Sequence, residues 1–199
     1  MKKIAIFASG NGTNAKKIID HFKKSGLIKV SLLVCNNPNA GVLKIAAVEN
    51  ITVLLIEKSE FQANGYIKEL NNNGIDFIVL AGFLWKLPAA LVKQYPRKII
   101  NIHPALLPAY GGKGMYGNAV HDSVIKAGEK QSGITIHYVD EIYDHGDIIF
   151  QATCPVDEED TAESLAQKIH SLEHRHYPAE IERLLNDEPT KLFIKVGLT

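Results

Sequence analysis

Cysteine, net charge and long apolar runs are all scarce in this chain. Only two cysteines, Cys35 and Cys154, occur in 199 residues, and neither has a metal-binding or redox spacing. Both lie in apolar, strand-like runs, which predicts two reduced, buried thiols in a cytoplasmic protein. The 22 basic residues balance the 22 acidic ones, so no broad positive field favours a nucleic-acid partner. No stretch approaches the ~20 apolar residues of a membrane span. The opening MKKIAIFASG is basic and then apolar. Its apolar run is about five residues, against the roughly seven to fifteen of a secretory leader. Internal repeats, low-complexity segments and linkers are also missing, so one domain is predicted over 1–199. Hydrophobic content of 46% with 22% charged residues is what a globular domain needs to build a core.

Strand-like and amphipathic stretches alternate. Strands are predicted over 3–9, 28–36, 52–57, 76–83 and 97–103. Helices are predicted between them over 14–26, 40–50, 60–74 and 88–95. The run DFIVLAGF (76–83) is almost wholly apolar, as a strand covered on both faces should be. A glycine-rich loop from 112 then leads into a further helix. Two runs, 132–141 and 146–156, read as a β-hairpin around a turn at Asp144-His145-Gly146. A long helix over 161–187 follows, interrupted or ended near Pro178, its acidic start (157–163) a solvated helix beginning. The predicted class is α/β: a doubly wound, mostly parallel Rossmann-like sheet with a C-terminal β-hairpin and a long C-terminal helix.

Two loops hold chemistry. ASGNGTN (8–14) leaves the first strand and opens the first helix, where α/β sheets bind phosphate. Gly10 and Gly12 let a ligand approach the backbone, and helix N–H groups point at it. The loop is neither a Walker loop nor G-x-G-x-x-G, since position 15 is alanine. The plainer reading is a tight turn capped by Thr13 or Asn11. In the second loop, NIHPALLPAY (101–110), Asn101 and His103 lie two apart at the end of a strand and so share a face. Pro104 stops the strand. Ligand crevices of open α/β sheets lie at such carboxyl ends, where an amide can steady an oxyanion and an imidazole can move protons. An orienting carboxylate is expected, and Asp140, Glu141, Asp144 and Asp147 all qualify by spacing.

SGNGTN (9–14), LAGFLWKL (80–87), NIHPALLPAYGG (101–112), GITIHYVDEIYDHGDIIFQ (133–151) and LEHRHYP (172–178) together resemble the phosphoribosylglycinamide formyltransferase family, within the folate formyl transferases. The resemblance covers nearly the whole chain. It implies transfer of the formyl group of 10-formyltetrahydrofolate to the glycine amine of N1-(5-phosphoribosyl)glycinamide in purine synthesis. It implies Asn101, His103 and Asp144 as the catalytic trio, with Asp144 raising the pKa of His103. Gly10, Asn11, Gly12, Thr13 and Asn14 would hold the ribonucleotide phosphate, and His170 and Glu173 the rest of that substrate. Leu84, Trp85, Lys86 and Leu87, with Asp140, Glu141, Ile142, Tyr143 and Asp144, would wall the folate pterin together with Asn101. Asn64 stands where the family commonly carries a folate-contacting arginine, and the loop after Pro108 is longer than usual. The N-terminal half would bind the ribonucleotide and the C-terminal half the folate, with the active site between. Small-molecule substrates are implied, with no nucleic acid, membrane or metal, and at most a weak homodimer.

The bland readings stand beside these. His170 and His174 have the one-turn spacing of metal ligands, but a helix facing a ribonucleotide explains them more simply. Trp85 and Tyr138 read as packing. A methionyl-tRNA formyltransferase would carry a further domain and a basic face, a formyltetrahydrofolate hydrolase a regulatory domain, and a nucleotide-sugar formyltransferase a longer chain. A non-catalytic ribonucleotide sensor would bind at 10–14 without turnover.

Overall fold

The computed structural model describes residues 1–186 and the backbone of 194–197. The chain forms two compact units, Met1–Asn101 and Ile102–Thr199.

The first unit is a βα alternation. Its elements are β1 (Lys2–Ala8), α1 (Thr13–Phe22), β2 (Ile28–Cys35), α2 (Val42–Val48), β3 (Thr52–Leu55), α3 (Lys58–Asn64), α4 (Ile67–Asn72), β4 (Phe77–Leu80), α5 (Ala89–Gln94) and the start of β5 (Ile99–His103). The strands run parallel in the order β3-β2-β1-β4-β5. Sequence explains the centre of this sheet. All of Phe77–Leu80 and all of Ile4–Ala8 are buried, and such runs need cover on both faces. Because β1, β4 and β5 are parallel neighbours, 9–14, 81–87 and Asn101 all leave at the same carboxyl edge.

The single helix expected over 60–74 is two helices. Gly65 and Tyr66 both have positive φ (65° and 52°) and break it. Tyr66 is buried; its hydroxyl accepts from the Glu57 N–H at 3.0 Å and donates to Glu60 at 2.8 Å. A straight helix would carry Tyr66 about 13 Å from Glu57 at ~1.5 Å per residue, so the chain must turn back to make those bonds.

The second unit holds α6 (Asn118–Lys126), β6 (Gln131–Tyr138), β7 (Ile148–Pro155), α7 (Ala162–Asn186) and β8 (Ile194–Gly197). β6 and β7 form the expected antiparallel hairpin, and β8, which no sequence pattern announced, lies parallel to β7. A Cβ on Gly133 would sit 2.1 Å from the Ala152 carbonyl oxygen, so only glycine lets the two strands pair there. Thr161 and Ser164 bond each other's backbone N–H groups (3.2 and 3.0 Å), a reciprocal cap for α7.

Pro178 does not end α7, contrary to expectation. A mid-helix proline costs ~3 kcal/mol. Leu165, Ile169 and Leu172 before it, and Ile181 and Leu185 after it, form one buried stripe that offsets this cost. The last residue of the expected helix, Asp187, lies outside the described residues.

Candidate active site

The loop after β1 is held by its own unit. The Ser9 N–H donates to the Gly82 carbonyl (3.0 Å), and the Ser9 hydroxyl accepts from the Leu84 N–H (3.0 Å). These bonds tie the 9–14 loop to the segment leaving β4. Asn37 donates its amide to the Ser9 carbonyl at 3.3 Å. Neither Thr13 nor Asn11 caps α1, contrary to the plainer reading. Gly12 is the N-cap, in the left-handed region at φ 78°, and no side chain caps the helix. A Cβ on Gly12 would lie 2.5 Å from Val42 Cγ2, so this glycine is required by α2 packing as well as by its dihedral. A helix start with no side-chain cap, beside the exposed Gly10, Asn11 and Thr13 and the half-buried Asn14, is where an anion binds best.

The segment after β4 presents Leu84 at 52% exposure, over an aromatic group in which Trp85 packs near Phe61 (6.0 Å) and Phe83 (6.3 Å). Lys86 is exposed, its carbonyl accepting from Gln62, and Leu87 is buried. Asn64 turns its amide oxygen to the Tyr66 N–H at 2.7 Å, so that atom serves the α3–α4 turn. Asn101 pairs with Leu80 across the sheet and is half-buried.

In the second unit His103 is 3% exposed. Its Nε2 lies 2.7 Å from the Tyr110 carbonyl and its Nδ1 3.6 Å from Asp144 Oδ2. Geometry thus separates the four acids that spacing left equal. Asp144 faces His103. Asp140 is engaged by His145 (2.7 Å) and by the Ile142 N–H (2.7 Å). Glu141, Ile142 and Tyr143 are exposed, and the Asp147 carbonyl accepts from the Tyr138 N–H within the hairpin. Asp144 reaches its place through a positive φ of 53°, and its Oδ2 accepts from the Gly112 N–H at 2.9 Å.

The electrostatics depart from one expectation. Asp144 does act to raise the His103 pKa, but burial acts more strongly, and the net value lies below that of an ordinary histidine. Burial pulls the Asp144 carboxyl upward, but the His137 and His103 imidazoles and the Gly112 N–H outweigh it and hold it below the usual carboxylate range.

On α7, Glu173 is buried and bonds His170 Nδ1 at 2.8 Å. That bond raises the His170 pKa. His170 and His174 stack, centroids 6.1 Å apart. Among the described residues, no group of three or more His, Cys, Asp or Glu is placed to hold a metal ion, and no helix is long and apolar enough to cross a membrane.

Sequence reading missed two buried histidines. His137 lies on β6 with Nε2 3.6 Å from Asp144 Oδ1. His121 lies on α6, 3% exposed, with no hydrogen-bond partner for Nδ1 and with His170, Glu173 and His103 near enough to bias its charge. The only available signal was a histidine set in an otherwise apolar pattern.

Comparison with known proteins agrees with this arrangement. The family model described as "Formyl transferase" matches residues 2–181. The chain is 40% identical over 191 residues to a Bacillus subtilis protein named phosphoribosylglycinamide formyltransferase, covering 93% of this chain and 95% of that one. It is 41% identical over 192 residues to the chloroplastic protein of that name from Vigna unguiculata, covering 94% of this chain but only 62% of the plant protein. The solved phosphoribosylglycinamide formyltransferase of Anaplasma phagocytophilum superposes with a TM-score of 0.87 at 32% identity, covering 99% of each chain. With a family match over most of its length and relatives of this identity and coverage, the chain belongs to the formyl transferase family.

Proposed function

We propose that this protein transfers the formyl group of 10-formyltetrahydrofolate to the glycine amine of N1-(5-phosphoribosyl)glycinamide, a step of purine synthesis, in the cytoplasm. The observation that carries the reading is the buried His103–Asp144 pair, 3.6 Å apart, in a chain that covers 95% of the Bacillus formyltransferase.

Residues 10–14 at the start of α1 receive the ribonucleotide phosphate through backbone N–H groups. Glu173 accepts from the ribose hydroxyls, and His170, its positive charge favoured by Glu173, adds attraction for the anionic substrate. Leu84 to Leu87 and the stretch from Asp140 to Asp144 wall the pterin. The neutral amine attacks the formyl carbon, and the carbonyl oxygen takes the negative charge of a tetrahedral intermediate. Asn101 donates to that oxygen, a contribution on the order of 3 kcal/mol.

His103 accepts the proton the amine sheds as the new C–N bond forms. The resulting imidazolium sits against Asp144 and adds to oxyanion stabilisation. The proton then passes to the folate nitrogen as its bond to the formyl carbon breaks. The substrate's own amine is the nucleophile, so no covalent enzyme intermediate and no metal-activated water is required.

The test follows loss of 10-formyltetrahydrofolate by purified protein with and without the glycinamide ribonucleotide. The proposal expects turnover only with the amine present. Turnover without it indicates a hydrolase, and ribonucleotide binding with no turnover indicates a sensor.

A further inference from the structure

The β6–β7 hairpin buries two polar side chains among apolar ones. Thr135 on β6 and Gln151 on β7 are register partners, flanked by the buried Ile134 and Ile136 on one strand and Phe150 and Ala152 on the other. Thr135 is 0% exposed and Gln151 6%. Buried polar groups cost stability unless they are hydrogen-bonded. Here the bonds converge on residues 105–107, just after His103. The Thr135 hydroxyl donates to the Ala105 carbonyl at 2.6 Å and accepts from the Leu107 N–H at 2.9 Å. The Gln151 amide donates to the Leu107 carbonyl at 3.0 Å and to the Thr135 hydroxyl at 2.9 Å. That hydroxyl has one proton and two lone pairs, so its capacity is full.

Residues 105–112 go on to make the backbone contacts of the His103–Asp144 pair. The Tyr110 carbonyl accepts from His103 Nε2 at 2.7 Å, and the Gly112 N–H donates to Asp144 Oδ2 at 2.9 Å. Leu107 links the two ends of this strap. A Cβ on Gly111 would lie 2.5 Å from Leu107 Cδ2 and 3.3 Å from Asp144 Cβ. With packing this close, a shift of Leu107 moves the backbone that holds both His103 and Asp144.

We infer that Gln151 and Thr135 are positioning residues for formyl transfer: their buried amide–hydroxyl pair fixes residues 105–107, and through them the Tyr110 carbonyl and the Gly112 N–H that set His103 against Asp144. This rests on the roles proposed above for His103 and Asp144. A strap outside helix and strand needs other partners for its backbone groups, and side chains anchored in a rigid hairpin supply them. An error of about 1 Å in placing a reacting group costs on the order of a hundredfold in rate.

The test compares Gln151→Met, Thr135→Val and the conservative Thr135→Ser with the wild type, reading kcat, both KM values, Tm and the His103 imidazole titration by NMR. Gln151→Met and Thr135→Val keep nearly the same shape and remove the bonds. In each, kcat should fall roughly tenfold or more while both KM values stay within about twofold. The His103 titration should move down by about half a unit or more, because the Tyr110 carbonyl raises it and is no longer held in place. Asp144, His137, Glu173 and His121, the titratable groups that bias His103, are unaltered, so the shift reports geometry. Thr135→Ser keeps the hydroxyl and should stay within about threefold of wild type in kcat. In the folded variants, an unmoved or raised His103 titration, or a kcat within about threefold of wild type, overturns the inference; a lowered Tm is then the whole effect, as a structural role alone produces. If Thr135→Val does not fold, Gln151→Met decides. The titration needs no substrate. A wild type without formyl transfer would therefore overturn the proposed reaction, while the His103 shift would still decide the role of Gln151 and Thr135.

Discussion

Replacing Asp144 by asparagine isolates the charge at the centre of the site. The amide keeps nearly the same shape and retains an oxygen to accept the Gly112 N–H, which donates to Asp144 at 2.9 Å. What is lost is the negative charge 3.6 Å from His103 Nδ1. Both side chains are largely buried, 4% and 11% exposed, so solvent screens the pair weakly. At an effective dielectric of ~20, unit charges at this separation interact by about 5 kcal/mol, which bounds the effect from above. Relaxation and water entry reduce it, and one pKa unit corresponds to about 1.4 kcal/mol, so a shift of roughly one to two units is expected.

The sign follows from the causes. Asp144 raises the His103 pKa while burial lowers it, so removing Asp144 leaves burial less opposed and moves the value further down. The imidazolium formed during transfer loses the same stabilisation, and kcat should fall roughly ten- to a hundredfold while ribonucleotide binding changes little. Asp140→Asn and Asp147→Asn should change both quantities much less. The assay is an NMR titration of His103 in each variant alongside kcat. An unmoved or raised His103 titration in Asp144→Asn, or a larger shift in Asp140→Asn, would refute the pairing.

Three further outcomes are expected. His103→Ala should keep the fold and lower turnover about a hundredfold or more, by losing proton acceptor and oxyanion support together; activity within threefold of wild type removes His103 from the mechanism. Gly12→Val should raise the KM for the ribonucleotide far more than that for the folate and lower stability by about 1–3 kcal/mol, because φ is 78° and the new Cβ meets Val42 at 2.5 Å; equal KM effects argue against phosphate binding there. Asp160 has its carboxyl lowered to about 2 by Lys168 and Ser164, so its contribution to stability is full above about pH 4 and is lost as pH falls through 2. Asp160→Asn should remove that acid-range slope from Tm measured against pH, and an unchanged slope contradicts the pairing.

Much of the fold was legible because burial leaves a local signature. The apolar run of β4 and the alternation of the β6–β7 hairpin each carry their environment in their own residues. The misses have tertiary causes. The break at Gly65-Tyr66 is fixed by where the Tyr66 hydroxyl bonds, which no local window contains. The survival of α7 through Pro178 depends on a buried stripe on both sides of it. β8 is a short IKVG run with no pattern to announce it.

The same division holds in the site. Asn101 and His103 stood out because strand, spacing and proline coincide within a few residues. The carboxylate did not, since Asp140, Glu141, Asp144 and Asp147 are alike in sequence; the positive φ of Asp144 and the position of Gly112 distinguish it. The depressed His103 pKa was missed because burial is a property of the packed unit, and the sequence shows only the neighbouring charge. His137 was missed because its chemistry appears only when the 140–147 turn brings Asp144 back over β6.

The central claim is that the formyl carbon passes directly from folate to the ribonucleotide amine. The most direct measurement supplies 10-formyltetrahydrofolate labelled with carbon-13 at the formyl group, together with the glycinamide ribonucleotide, and follows the label by NMR. The account predicts that the labelled carbon appears as an N-formyl resonance of the ribonucleotide, with no labelled formate, and that the signal grows about a hundredfold more slowly, or slower still, in His103→Ala. Labelled formate with an unmodified ribonucleotide would contradict it.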